Sequence, residues 1–176
     1  MKPRGPLMIE HRLIEKMLNL TGREIQRIKE DRDVDSVFID TIVDFIRTYA
    51  DRTHHGKEED ILFEALEEKE ISDDDDRVMK ELVNEHVQAR NVVGQLVDAK
   101  EAYVDGDKES INTVTEKLSW LIDFYPKHIV KEDEKFFPDT EKYFTDKELD
   151  DMLEEFWDFD RQMIHEKYNK LYESLA

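Results

Sequence analysis

The chain has 176 residues, which is enough for one domain or for a domain with an extension. Its 45 acidic residues against 26 basic ones give a formal net charge of -19, and such a field repels phosphate backbones and argues against a nucleic-acid binder. The absence of cysteine excludes disulfides, thiolate zinc sites, iron–sulfur clusters held by this chain and thiol nucleophiles.

The composition also favours one fold class. Five glycines and four prolines leave little material for hairpins and turns, so an all-helical protein is expected. No apolar segment follows the basic start of the chain, and no stretch is long enough to cross a bilayer. We therefore expect no signal peptide, no membrane contact and a cytoplasmic location.

The first predicted helix runs from about residue 6 to residue 30. Its apolar residues alternate in steps of four and three, the spacing of a buried stripe in a helix bundle. His11 falls within this stripe. A single histidine at such a position is more often a satisfied core residue than a ligand.

The second predicted helix runs from a cap at Asp35 or Ser36 to about residue 65. His54 and Glu58 continue its apolar stripe, and their spacing of four places them one turn apart on the same face. Burial of these two groups without partners would be costly, and ligation of a metal ion would remove that cost. His55 is rotated from this face by about a quarter of a turn.

The third predicted helix follows an acidic run, Ser72 to Asp76. That run lacks the glycine and the terminal glutamate of an EF-hand, so we interpret it as the start of a helix rather than as a calcium loop. His86 lies in the apolar stripe of this helix, and Gly106 is the expected turn after it.

The fourth predicted helix carries His128 and Glu132, again four residues apart. Pro126 is expected to kink this helix and Pro138 to end it. A fifth helix, from about residue 146 to residue 174, lies beyond this set and is a candidate surface for a homo-oligomer. His165 on this last helix is expected to be a surface residue.

The first four helices form two halves of one pattern. A Glu-His pair opens each half, and a His-x-x-x-Glu motif follows one helix later, with offsets that agree within one residue. Such a repeat predicts an up-down-up-down four-helix bundle over residues 1–140, with residues 141–176 as a helical extension packed on it. The pseudo-twofold axis would bring together six candidate metal ligands: His11, His54, Glu58, His86, His128 and Glu132.

Nitrogen and oxygen donors without thiolate suit iron, with manganese or zinc as alternatives. The set is too large for a structural zinc site, and the HExxH spacing of zinc proteases is absent. Lys57 and Lys131, each between its histidine and its glutamate, are expected at the surface. Tyr49 and Tyr125 are expected to be packing residues.

These motifs resemble the hemerythrin-like family with the HHE cation-binding domain. The resemblance covers about residues 7–138 and is carried by four stretches: Glu10-His11, His54 to Glu59, Glu85-His86 and His128 to Pro138. It implies a non-haem centre of two iron ions with an oxo or hydroxo bridge, housed in a four-helix bundle.

Two departures from the family's oxygen carriers affect the ligand set. Those carriers use His-x-x-x-His on the third helix, whereas Arg90 stands four residues after His86 here, so a fifth histidine is missing unless His55 substitutes. On the fourth helix both Glu132 and Asp133 are available, and we take Glu132 as the bridging carboxylate because Glu58 is its repeat partner. Whether Glu59 or His165 also ligates is left open.

The resemblance implies a protein that binds O2, NO or another small diatomic for storage, transport or sensing. The alternative is a di-iron redox enzyme acting on O2, peroxide or NO, or an iron donor in iron–sulfur cluster repair. A third class is a metal-free structural bundle. The sequence leaves open whether the protein is an enzyme.

Overall fold

The computed structural model describes residues 2–175, without the side chains of residues 170, 174 and 175. This part of the chain consists of helices and short connections, and the all-helical prediction is confirmed. The first helix, α1, spans Arg4–Asp31, close to the predicted bounds. Arg32 closes it with a left-handed backbone, and its N–H donates to the carbonyl of Ile28.

The second rod is helical throughout but changes its winding. It begins as α2 (Ser36–Phe45), where the Asp35 side chain accepts a hydrogen bond from the N–H of Phe38. Two π-helical segments follow, π1 (Ile46–His55) and π2 (Glu58–Phe63), before the rod ends as α3 (Glu64–Glu67). The sequence pattern predicted the rod but not this wider winding, which is often found at functional sites.

The third rod is α4 (Asp73–Val104), and Ser72 caps it by accepting from the N–H of Asp75. The acidic run is therefore the first turn of a helix, where carboxylates are favoured. Gly106 follows with φ of 112°, a backbone conformation that glycine adopts without strain. The predicted turn at this glycine is confirmed.

The fourth rod comprises α5 (Ile111–Lys131), π3 (Glu132–Phe136) and α6 (Phe137–Thr140). α5 runs through Pro126 without interruption. The prediction that Pro138 ends the helix is wrong by two residues, because this proline lies in the first turn of α6, where its missing N–H is tolerated. The last helix, α7 (Asp146–Leu175), begins at the predicted residue.

The first four rods form a ring in which each contacts two others: α1 contacts π1 and α5, and α4 contacts α2 and α5. Within this bundle two apolar clusters occupy the two ends of the core. Leu7 on α1 and Leu82 on α4 belong to one cluster, whereas Ile14 and Val93 on the same helices belong to the other. The layer between the two clusters contains the polar site.

The first half of α7 joins one of these clusters through Met152 and Phe156, which are buried against Leu62 and Phe136 among others. Its second half carries exposed side chains instead. No helix in the described part of the chain is long and apolar enough to span a bilayer.

Candidate metal centre

The structure brings the four predicted histidines into the layer between the apolar clusters. His11, His54, His86 and His128 each come from a different rod, and each is at most 2% exposed. His11 lies one turn from both Leu7 and Ile14, so the apolar stripe of α1 places its ring inward. His165, by contrast, is exposed on α7.

Glu132 lies between the two halves of the site. Its Oε2 is 3.1 Å from Nε2 of His11, and its Oε1 is 3.1 Å from Nε2 of His128. One carboxylate therefore faces imidazoles from the first and the fourth rods with different oxygens.

Glu58 occupies the corresponding position on the second rod. Its Oε1 lies 3.5 Å from Nε2 of His54, and its Oε2 lies 3.5 Å from Nε2 of His86. Glu58 and Glu132 are both fully buried. Each therefore spans the site from one half to the other.

His55 also belongs to the centre. One of its ring nitrogens, with one each from His86 and His128, forms a group of donor atoms within 4.8 Å of one another. A second such group is formed by His11, His54, Glu58 and Glu132. The ring of His55 stacks on that of His86 at a centroid distance of 3.8 Å, so π1 directs two consecutive histidines into one layer.

Each of the five imidazoles has a carboxylate behind it. Two of these contacts are repeat partners: Glu10 bonds Nδ1 of His54 at 2.8 Å, and Glu85 bonds Nδ1 of His128 at 2.7 Å. An acceptor on Nδ1 fixes the tautomer with its proton there and leaves the lone pair of Nε2 facing the centre. There, Nε2 of His54 lies 2.8 Å from Nε2 of His11. Glu10 and Glu85 were visible as the opening residues of each repeat, but periodicity alone gave them no role.

The other three imidazoles are held in the same way. Asp133 bonds Nδ1 of His11 at 2.7 Å, and Glu59 bonds Nδ1 of His86 at 2.6 Å. The acceptor of His55 Nδ1 is Asp51, at 3.2 Å. Asp133 and Glu59, left open as ligands by the sequence, thus lie behind the histidines rather than in the centre.

Cations hold these carboxylates in turn. The guanidinium of Arg90 donates to Glu59 at 2.7 Å and to Asp51 at 2.8 Å. Arg90 stands four residues after His86, where the oxygen carriers have their fifth histidine. This arginine therefore organises the acceptors of two histidines on its side of the site.

The expected surface position of Lys57 is wrong. Its side chain is fully buried and pairs with Glu10 and with Asp160 of α7, because α7 covers the face of the second rod that would otherwise meet solvent. Its repeat partner Lys131 pairs with Glu85 at 2.5 Å and remains 27% exposed. Lys131 is therefore partly at the surface, closer to the expected position than Lys57.

The hydrogen bonding of the buried carboxylates indicates whether metal ions fit this site. Both oxygens of Glu58 and Nε2 of His55 are buried without a hydrogen-bond partner among the described residues. The two oxygens of Glu132 each lie 3.1 Å from an imidazole nitrogen but form no hydrogen bond with a described residue. Burial, together with the charge of Glu132, raises the pKa of Glu58 well above its usual value. Such groups are expensive unless a cation compensates them, so the donor set fits bound metal ions.

The pKa values of the imidazoles depend on burial, which favours the neutral form, and on nearby carboxylates, which favour the charged form. Burial lowers the pKa of His54 to about 4 and that of His55 well below its usual value, which keeps both neutral as ligation requires. At His128, burial acts in the same direction, but the Glu132 carboxylate outweighs it and raises the pKa to about 9. In the absence of metal, a proton at His128 would offset part of the carboxylate charge.

A cavity of about 310 Å³ adjoins the His55 side of the centre. Ala89, Arg90 and Tyr125 are among the residues that line it. Tyr125 is buried, as predicted for a packing residue, yet its hydroxyl has no hydrogen-bond partner in the part of the chain that the structure describes. Burial raises the pKa of Tyr125, so its phenol stays protonated.

Comparison with known proteins is consistent with this centre. Proteins of Mycobacterium bovis and Mycobacterium tuberculosis, described only as uncharacterized, are 23% identical to the chain over 160 residues. The alignment covers 91% of this chain but only 62% of each relative. No solved structure matches. The family model of the hemerythrin HHE cation-binding domain matches residues 6–140, and the chain belongs to this family.

Proposed function

We propose that this protein holds two iron ions in its central layer and binds O2 or another small diatomic there, for storage, transport or sensing. The observation that carries the proposal is a pair of buried carboxylates, Glu58 and Glu132, that lie among five imidazoles and whose four oxygens have no hydrogen-bond partner in the described part of the chain. An oxygen and nitrogen donor set of this kind suits iron.

The two halves of the centre offer different numbers of donors. His11 and His54, with one oxygen each from Glu58 and Glu132, would hold one ion. Three imidazoles and the other two oxygens would hold the second ion, since His55 supplies the histidine that is missing from α4. The first ion would therefore keep more positions for an external ligand.

Bound ferrous iron would supply the electrons for reversible ligation of a diatomic. The residues of the chain do the rest: the carboxylates behind Nδ1 orient each ring, and the two apolar clusters limit the access of water. The bundle over residues 1–140 would house the centre, and residues 141–176 would form an extension packed on it.

Reaction of the reduced protein with O2 tests the proposal. Anaerobically iron-loaded protein mixed with O2 in a stopped-flow instrument should develop an absorption band that persists for minutes and disappears when O2 is removed. The His54→Ala variant should lose the band, whereas His165→Ala, at an exposed histidine, should keep it. Loaded wild-type protein that shows no new band would contradict the proposal.

One observation favours the alternative of a redox enzyme acting on O2, peroxide or NO. The phenol of Tyr125 has no hydrogen-bond partner among the described residues, lines a cavity beside His55 and is placed to donate a hydrogen bond to a bound oxidant. In that case iron-loaded protein would consume its oxidant repeatedly when a reductant is present, and Tyr125→Phe would slow this turnover. A role as an iron donor would instead show as transfer of iron to a chelated acceptor without oxidant.

The second half of α7 suggests self-association as a further part of the proposal. Ile164, Tyr168 and Tyr172 are exposed there, and Trp157 near the middle of α7 is exposed as well; the four follow one another at steps of seven, four and four residues and so lie on one face of the helix. We propose that a second copy of the chain covers this face. Sedimentation should then show a dimer that Ile164→Lys dissociates, and a wild-type monomer at high concentration would contradict it.

A further inference from the structure

Lys57 is a buried cation at the boundary between the bundle and α7. Its side chain is 0% exposed, and a lysine in that position needs anionic partners. Asp160 of α7 lies 2.7 Å from its Nζ, Glu10 of α1 also pairs with it, and the ring of Phe156 lies 5.8 Å away. Two of these three groups belong to the C-terminal helix.

Glu10 connects this lysine to the centre. One of its oxygens pairs with Lys57, and the other bonds Nδ1 of His54 at 2.8 Å. A continuous relay therefore runs from Asp160 through Lys57 and Glu10 to His54. Its outer member lies on α7, beyond the residues 6–140 that the family accounts for.

The other half of the bundle contains the same relay without α7. Lys131 pairs with Glu85, which bonds Nδ1 of His128. The second partner of Lys131 is Glu81 of α4, at 3.5 Å, and the lysine stays partly exposed. Water weakens these pairs, whereas the enclosed Lys57 interacts with its carboxylates at a lower effective dielectric. The helix α7 thus makes the two repeat halves unequal.

Close packing of α7 depends on a glycine beside the histidines. A Cβ placed on Gly56 would lie 2.7 Å from Cζ of Phe159 on α7. The turn that carries His54 and His55 therefore lacks a side chain where α7 crosses it. This approach brings Asp160 within reach of Lys57.

We propose that α7 is a positioning element for the metal centre, in which Asp160, acting through Lys57 and Glu10, fixes the ring of His54. Docking of α7 then strengthens the hold of the His11 and His54 half on its ion, whereas the relay to His128 contains no residue of α7. This inference rests on the proposed metal centre. By thermodynamic reciprocity, a bound ion also strengthens the docking of α7.

Asp160→Asn tests the relay, because this side chain is 37% exposed and its loss leaves the apolar packing of α7 intact. The matched control is Glu81→Gln, since Glu81 is 43% exposed and is the second carboxylate of the other relay. Full-length proteins are loaded anaerobically with Fe(II), and release to a ferrous chelator is followed by absorbance. Thermal unfolding of the metal-free proteins verifies that each variant folds.

In Asp160→Asn, one of the two ions should leave up to roughly 10-fold faster than in the wild type, the lower end of the range for loss of a histidine's direct partner, because Asp160 acts on His54 only through Lys57 and Glu10. The second ion should be unaffected, and Glu81→Gln should leave the release of the His54-side ion unchanged. Asp160→Glu, which retains the carboxylate, should restore slow release. Hydrogen exchange in α7 should also slow when the wild type is loaded.

The inference would be overturned if both ions left Asp160→Asn at the wild-type rate and if loading with iron did not change hydrogen exchange in α7. The proposed function would remain intact in that case. A folded wild-type chain that binds no Fe(II) would overturn both. Faster release from Asp160→Asn that Asp160→Glu does not restore would also contradict a positioning role for the carboxylate.

Discussion

Replacement of Glu58 by leucine should have opposite effects on the metal-free and the metal-loaded protein. Glu58 is fully buried, and neither of its oxygens has a hydrogen-bond partner among the described residues. A buried polar group in this condition costs about 1–3 kcal/mol. Glu58→Leu removes that cost and keeps an apolar side chain of similar size, so the metal-free variant should be the more stable one.

A gain of about 2 kcal/mol corresponds to a rise in Tm of roughly 4–8 °C for a protein of this length. Bound iron should stabilise the wild type more than the Glu58→Leu variant. At 100 times its Kd, a bound ion stabilises the wild type by about 2.7 kcal/mol. The variant should gain less from iron, because both ions lose a bridging oxygen.

Circular dichroism at 222 nm, recorded anaerobically with and without Fe(II), would measure both transitions. The control is Glu24→Gln, since Glu24 is a buried carboxylate whose oxygens are satisfied by Arg27. That variant should lose stability by the same amount in both conditions. A Glu58→Leu protein with a lower Tm than metal-free wild type would refute the reasoning, because Glu58 would then stabilise the fold itself.

Three further predictions concern Asp75, two glycines and the bound metal. Although burial opposes it, the hydrogen bond from Tyr143 lowers the pKa of Asp75 below 3.8. The stabilising effect of the ionised carboxylate is therefore present above that pH and is lost as the pH falls through the folded-state pKa. Asp75→Asn should lower the free energy of unfolding in urea by about 1–2 kcal/mol at pH 7 and by progressively less at lower pH. Gly56→Ala should cost about 1–3 kcal/mol because its Cβ meets Phe159, whereas Gly94→Ala, with nothing within 4 Å, should stabilise α4 by up to about 1 kcal/mol. Dialysis against a chelator should lower the Tm of loaded protein reversibly, and Fe(II) should restore it.

The fold could be predicted because its signal is local and repeated. Apolar spacing alone located all five rods, and the offset between His54/Glu58 and His128/Glu132 implied a pseudo-twofold bundle. The convergence of these residues with His11 follows from the same geometry, since each lies on the buried face of its rod.

Other features depend on winding and on contacts between rods that are distant in sequence. His55 lies in the π-helical segment π1, and the apolar spacing of the second rod does not predict this wider winding. The burial of Lys57 depends on where α7 crosses the second rod, more than 100 residues later. The acceptor roles of Asp133 and Glu59 likewise require partners from other rods. Periodicity within one helix contains none of this information.

The most direct test of a two-ion centre is the metal content of the protein itself, purified without oxygen from iron-replete cells. We predict two iron ions per chain, falling to one or none in a Glu132→Leu variant, because both half-sites share this carboxylate. Less than one bound ion per folded wild-type chain would contradict the account.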